Sequence, residues 1–194
     1  MRLFAAVDSP PEVSASLAEA VGNEADERIR RVPPEQWHLT LAFYGEVDAS
    51  KTDKLQEGLA RAAERTRPFG VRLAGAGTFP RQANRARVLW IGLDGEVDAM
   101  RRLADRCAGA GRRARIAVDD RKFRPHLTLA RARRETVDVQ AVVDRLSSYS
   151  SPWWTVTSLR LVHSHLGPVV RHETLREFAL GSQLDDDDVD ARAR

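Results

Sequence analysis

Apolar residues recur every three or four positions at Val13, Leu17 and Val21, and again at Leu55, Leu59 and Ala63. That spacing keeps an apolar stripe on one side of a helix. It predicts helices over residues 10–30 and from Lys51 to Thr66, with others from Glu96 to Ala108 and from Val137 to Ser148. The first opens on "SPPE", where Ser9 is expected to cap, Pro10 to take the first turn and Glu12 to complete an S-x-x-E box. Between the helices lie β-rich runs bounded by turn residues. They are "RLFAAV" at 2–7, Trp37 to Phe43, "FGVRLAGAGTF" at 69–79, "ARVLWIGL" at 86–93, "WTVTSLRLVHS" at 154–164 and "HETLREFAL" at 172–180.

One run occurs twice. "HLTLA" stands at 38–42 and at 126–130, and each copy is followed by a helical stretch and then two strands. A repeat on the scale of half the chain is too long for a solenoid unit and fits duplication within one body. Mixed strands and helices with short strand connections predict an α+β fold. The expected form is bilobal, two pseudo-symmetric antiparallel sheets with flanking helices around a central cleft. Residues 1–181 form this domain, and the acidic stretch 182–194, almost free of apolar residues, is expected to be disordered. "GEVDA" also occurs twice, at 45–49 and 95–99, but it carries no matching chemistry.

Side chains two apart on a strand share a face. His38 and Thr40 therefore point one way while Leu39 and Leu41 point the other, and His126 and Thr128 repeat the pattern against Leu127 and Leu129. Leucines anchor such a strand in a core. Packing alone requires the leucines but no polar His–Thr face in both copies. Facing each other across a two-fold axis, the two polar faces would gather two imidazoles and two hydroxyls. An imidazole of ordinary pKa, about 6.5, holds either protonation state near neutrality. One can accept a proton while the other donates one, and the hydroxyls can bind an oxyanion. That set suits in-line displacement at phosphorus without a metal or other cofactor.

The paired HLTL motifs, the opening "RLFAAVDSPPEV", the "ARVLWIGL" strand and "RPHLTLAR" resemble the 2H phosphoesterase superfamily. Within it they are most similar to the RNA 2′,3′-cyclic phosphodiesterases, the 2′–5′ RNA ligase-like proteins. The resemblance covers about residues 1 to 180 and implies a bilobal fold with the active site in the cleft. It implies hydrolysis of RNA 2′,3′-cyclic phosphate ends to 2′-phosphomonoesters, with reversible 2′–5′ RNA ligation as a further activity. It also implies His38 as proton donor to the departing 3′ oxygen, His126 as the base that activates water, and Thr40 and Thr128 as phosphate holders. The pseudo-symmetry of the motifs does not itself distinguish acid from base.

Composition narrows the partners. Lys and Arg number 31 against 28 Asp and Glu, for a net charge of +3, and most of the cations are Arg, whose planar fork fits phosphate oxygens. Arg131 follows the second motif and is a further phosphate-binding candidate, although strict alternation sets it on the leucine side; Lys122 and Arg124 precede the motif. Phe43 and Tyr44 are candidates to stack a base. Trp90 reads as packing, and of Trp153 and Trp154 one should be buried and one exposed. The single Cys107 excludes an internal disulfide and reads as a small buried residue. His163 and His165 share a strand face but show no third ligand in sequence, and His172 shows no partner. Asp8 cuts short the apolar start, which predicts no signal peptide, and no apolar run reaches transmembrane length. The chain is therefore expected to be a cytoplasmic monomer acting on RNA 3′ ends or nucleotide 2′,3′-cyclic phosphates. The alternatives are a phosphodiesterase for a small nucleotide cyclic phosphate and a non-catalytic RNA-end binding module.

Overall fold

The structure, a computed structural model, describes residues 1–22, 26–119, 122–167 and 170–181; the acidic stretch at 182–194 lies outside them. In chain order the elements are β1 (Arg2–Val7), α1 (Pro11–Val21), β2 (Ile29–Arg31), β3 (Leu39–Glu46), α2 (Ala49–Glu64), β4 (Phe69–Phe79), β5 (Val88–Gly95), α3 (Val97–Arg113), β6 (Leu127–Ala132), α4 (Gln140–Leu146), β7 (Trp154–Val156), β8 (Ser158–His165) and β9 (Arg171–Ala179). The periodic apolar residues Val13, Leu17, Val21, Leu55, Leu59 and Ala63 are all buried.

The ends of α1 differ from the sequence reading. The cap position is Pro10, which makes no side-chain cap bond, and the Ser9 hydroxyl instead lies 2.8 Å from that of Ser14. The helix stops at Val21 because Gly22 adopts φ 71°, a conformation that costs an L side chain and ends helices. Residues 29–31 then pair with β6. In both GEVDA copies the glycine takes a positive φ, 63° at Gly45 and 98° at Gly95, but the helix that follows starts at Ala49 in the first copy and at Val97 in the second. At Gly95 a Cβ would lie 2.6 Å from the Trp153 ring and 2.8 Å from the Gly70 carbonyl oxygen.

The strand path is β7-β4-β5-β6-β3-β1-β8-β9, with β2 paired to β6. Its two four-stranded halves are antiparallel throughout and meet through Leu39↔Leu127. That contact joins equivalent residues of the two HLTLA copies, as a two-fold axis between them requires. The lobes are not the two sequence halves, however. After β3 and α2 the chain crosses, so β4 pairs with β5 and β7 in the far lobe, while β8 returns to pair with β1. This crossing explains why "WTVTSLRLVHS", expected as one strand, is two: β7 belongs to the lobe of β4 and β8 to that of β1.

Helices cover one face of the sheet. Leu3, Leu39, Leu127 and Leu161 pack there with Leu17 of α1, Leu55 of α2, Leu103 of α3 and Leu146 of α4 in a single core. Each such leucine stabilises the fold by about 1.5–3 kcal/mol. Cys107 is fully buried in this core, and burial pushes its thiol up to about 12. Of the neighbouring tryptophans, Trp153 is exposed and Trp154 buried. The opposite face carries a small separate cluster of Phe4, Ala6 and Val162, and it is here that the polar positions gather.

Candidate active site

The pairing Leu39↔Leu127 turns both leucines into the core. Residues 38, 40, 126 and 128 therefore lie on the other face. By antiparallel register His38 is opposite Thr128 and His126 opposite Thr40, which makes the histidines diagonal neighbours across β3 and β6.

Each copy then contains a bulge at the same letter. Against β1, Ala6 pairs with Thr40 and Ala5 with Ala42, so Leu41 is passed over. Against β5, Trp90 pairs with Thr128 and Leu89 with Ala130, so Leu129 is passed over. In both strands two successive residues, Leu41–Ala42 and Leu129–Ala130, are buried. An extra residue resets the alternation, so Phe43 and Arg131 rejoin the face of the histidines. Strict alternation had put Arg131 with the leucines; the bulge corrects this.

His38, Thr40, Thr128 and Arg131 line one cavity of about 350 Å³, together with Phe43 and His172. His126 lines the adjoining space of about 940 Å³, which shares Thr40, Phe43 and Arg131 with the first. Thr40 and Arg131 thus stand between the two histidine sites. The wall is basic: Arg2 and Arg30 belong to the first cavity, Lys122 and Arg124 to the second. Burial and the neighbouring Arg30 lower the pKa of Arg131.

The two imidazoles are held alike. His38 Nδ1 lies 2.7 Å from the Gln36 carbonyl oxygen, and His126 Nδ1 lies 2.7 Å from that of Arg124. A carbonyl only accepts, so Nδ1–H donates in both rings and each neutral Nε2 keeps a free lone pair. Local sequence sets these carbonyls. A short 3₁₀ turn, Pro34–Gln36, precedes Trp37, whose indole donates to the Val32 carbonyl at 2.8 Å. In the second copy Pro125 follows Arg124 and favours extended backbone there.

Aromatic rings pack against both. Phe4 stacks on His38 at 4.8 Å between centroids, and His172 meets it edge-on at 5.2 Å. Phe79 meets His126 edge-on at 5.2 Å, with Trp90 at 6.2 Å. Arg124 lies over Phe79 and Trp90, at 5.5 and 5.9 Å from their ring centroids. Burial lowers His38 from 6.5 to about 4 and lowers His126 in the same direction. Both rings are therefore neutral near pH 7.

His172, which showed no partner in sequence, has two here: His38 and Phe4. It is a site residue the sequence reading missed, brought in by the β8–β9 pairing Ser164↔His172. Phe43 is exposed at the cleft with Arg2 over its ring at 4.7 Å. Tyr44 is buried and donates to the Cys107 carbonyl at 3.0 Å, so it is not placed to stack a base. His163 and His165 acquire the missing third ligand in Glu173, all within 4.8 Å, but on the face away from the cleft.

The family model described as "2'-5' RNA ligase superfamily" matches residues 9–168. A Thermus thermophilus protein named RNA 2',3'-cyclic phosphodiesterase is 38% identical, the match covering 93% of this chain and 90% of that one. A protein of the same name from Archaeoglobus fulgidus is 34% identical over 87% of this chain and 93% of its own length. The chain spans 56% of the length of a third so named, from Geobacillus stearothermophilus. Among solved structures, one of a Thermus thermophilus protein superposes with a TM-score of 0.79 at 32% identity, covering 94% of this chain and 100% of that one. Escherichia coli LigT complexed with 3'-AMP superposes with 0.75 at 28% identity, covering 92% and 97%. Among the described residues no helix is long and apolar enough to cross a membrane.

Proposed function

The chain belongs to the 2'-5' RNA ligase superfamily, and from that membership and its paired imidazoles we infer that it is an RNA 2′,3′-cyclic phosphodiesterase. The observation that carries the reading is the matched pair of Nδ1–H anchors, which leave one free Nε2 on either side of Thr40 and Arg131. Its substrates are RNA 3′ ends or nucleotides bearing the cyclic phosphate, and it works as a monomer in the cytoplasm.

In the proposed reaction His126 Nε2 takes a proton from water as its oxygen attacks phosphorus. The P–O3′ bond breaks, and His38 gives its Nε2 proton to the departing 3′ oxygen, leaving a 2′-phosphomonoester and a 3′-hydroxyl. His38 must be cationic to do this, and burial opposes that charge. A phosphate anion beside the ring offsets the penalty, so the acid is charged where the substrate lies. The Thr40 and Thr128 hydroxyls and the Arg131 guanidinium hold the non-bridging oxygens as charge builds. With an RNA 5′-hydroxyl in place of water as the nucleophile, the same step forms a P–O5′ bond as P–O3′ breaks, leaving a 2′–5′ linkage and a free 3′-hydroxyl; its reversal cleaves that linkage back to the cyclic end.

Turnover of a 2′,3′-cyclic nucleotide in excess EDTA tests the mechanism. The wild type is expected to hydrolyse it undiminished, and His38→Ala and His126→Ala each to lose at least about 10²–10⁴-fold in kcat. Loss of wild-type turnover to the chelator, or near-normal turnover by either variant, would overturn it.

A further inference from the structure

The hairpin that brings His172 to the cleft carries a second cluster on its back. Along β8, Val162 packs with Phe4 and Ala6 and Ser164 lines the His38 cavity. His163 and His165, alternating with them, face the other way. In the β8–β9 ladder His163 pairs with Glu173, which puts the carboxylate on the same face. His165 Nε2 lies 2.8 Å from Glu173 Oε2, and His163 Nδ1 lies 4.0 Å from the same oxygen. The two imidazole rings are 3.9 Å apart between centroids. One ligand atom from each residue fits within 4.8 Å of the others.

Two imidazole nitrogens and one carboxylate oxygen suit a borderline cation and not Mg²⁺ or Ca²⁺, which prefer oxygen. Bonds of about 2.0–2.2 Å in a tetrahedral centre separate neighbouring ligands by roughly 3.3–3.5 Å. The observed gaps of 2.8 and 4.0 Å lie on either side of that value. Rotation of side chains closes the difference while the ladder holds the backbones. Both histidines are half-buried and Glu173 is exposed, which leaves solvent access for a cation and for a water as fourth ligand.

We propose that His163, His165 and Glu173 form a binding site for Zn²⁺ or a similar divalent transition metal, clamping β8 to β9 behind the cleft. The H-x-H spacing supplies two ligands from one strand and the neighbouring strand supplies the third. The site takes no part in the phosphodiester reaction, since Ser164 and His172 turn to the opposite face. The cation is a cross-link of the hairpin whose other side meets His38.

The test is calorimetric titration of Zn²⁺ into the untagged, chelator-stripped chain, with the thermal midpoint followed in parallel. One cation per chain is expected, with a midpoint that rises with Zn²⁺ as binding to the folded state requires. His165→Ala and Glu173→Gln should each weaken binding by more than about 100-fold, beyond what loss of an outer partner costs, and abolish the thermal shift. Both variants should hydrolyse the cyclic nucleotide in EDTA at the wild-type rate. Absence of saturable binding, binding that survives both variants, or binding that disappears in His126→Ala would overturn the proposal. None of these results touches the metal-free chemistry, which stands or falls on turnover in EDTA.

Discussion

His38 illustrates how placement sets the chemistry of a single side chain. Its ring packs against Phe4 and His172, which also touch each other, with Nδ1–H committed to Gln36, and burial brings its pKa from 6.5 to about 4. His126 moves in the same direction, from the same cause. For the free enzyme both limbs of the kcat/KM profile should therefore lie below pH 6.5. The kcat profile, which reports the substrate complex, should lie at higher pH, because the bound phosphate favours imidazolium. A kcat/KM that still rises above pH 6.5 would contradict the depressed values. The stability consequence has a definite sign. The unfolded chain binds the His38 proton at a pH where the folded chain does not, so the fold loses stability as pH falls from 6.5 towards about 4. Urea midpoints should show that slope, and His38→Asn should reduce it.

At the scale of elements, the repeated bulge decides what the cleft contains. By passing over Leu41 and Leu129, β3 and β6 keep both leucines and the following alanines in the core while returning Phe43 and Arg131 to the histidine face. The letters HLTLA show the His–Thr pair plainly, because period-two alternation suffices for it. They do not show the bulge, which depends on how β1 and β5 pair alongside. Another element-level constraint is the glycine at Gly77, opposite Trp90 in the β4–β5 ladder. A Cβ there would lie 2.4 Å from Trp90 Cζ2, and Trp90 lies against Phe79 and His126. Gly77→Ala should cost about 1–3 kcal/mol by overpacking and lower turnover by displacing that wall. Chemical denaturation and kcat measured on the same variant check it; wild-type values for both would show that the wall yields freely.

For the whole molecule, the cleft gathers cations from distant parts of the chain. Arg2, Arg30 and Arg131 border the His38 side, and Lys122 and Arg124 the His126 side. RNA affinity should therefore fall with salt. If three phosphates of a single strand are engaged, log affinity against log salt should slope at about −2. A KM for an RNA end that does not change with ionic strength would mean that these cations do not hold the backbone.

Local pattern alone settled much of this protein. The helical stripes, the β runs, the duplicated pentapeptide and the shared face of each His–Thr pair follow from periods of 3.6 and 2, which act between residues near in sequence. Tertiary structure alone decided that β4 and β8 exchange lobes, that Arg131 faces the cleft, and that His172 meets His38. It also brought Glu173 to His163 and His165. Each of these depends on which strand pairs with which and in what register, and pairing between remote segments is chosen by burial over the entire sheet.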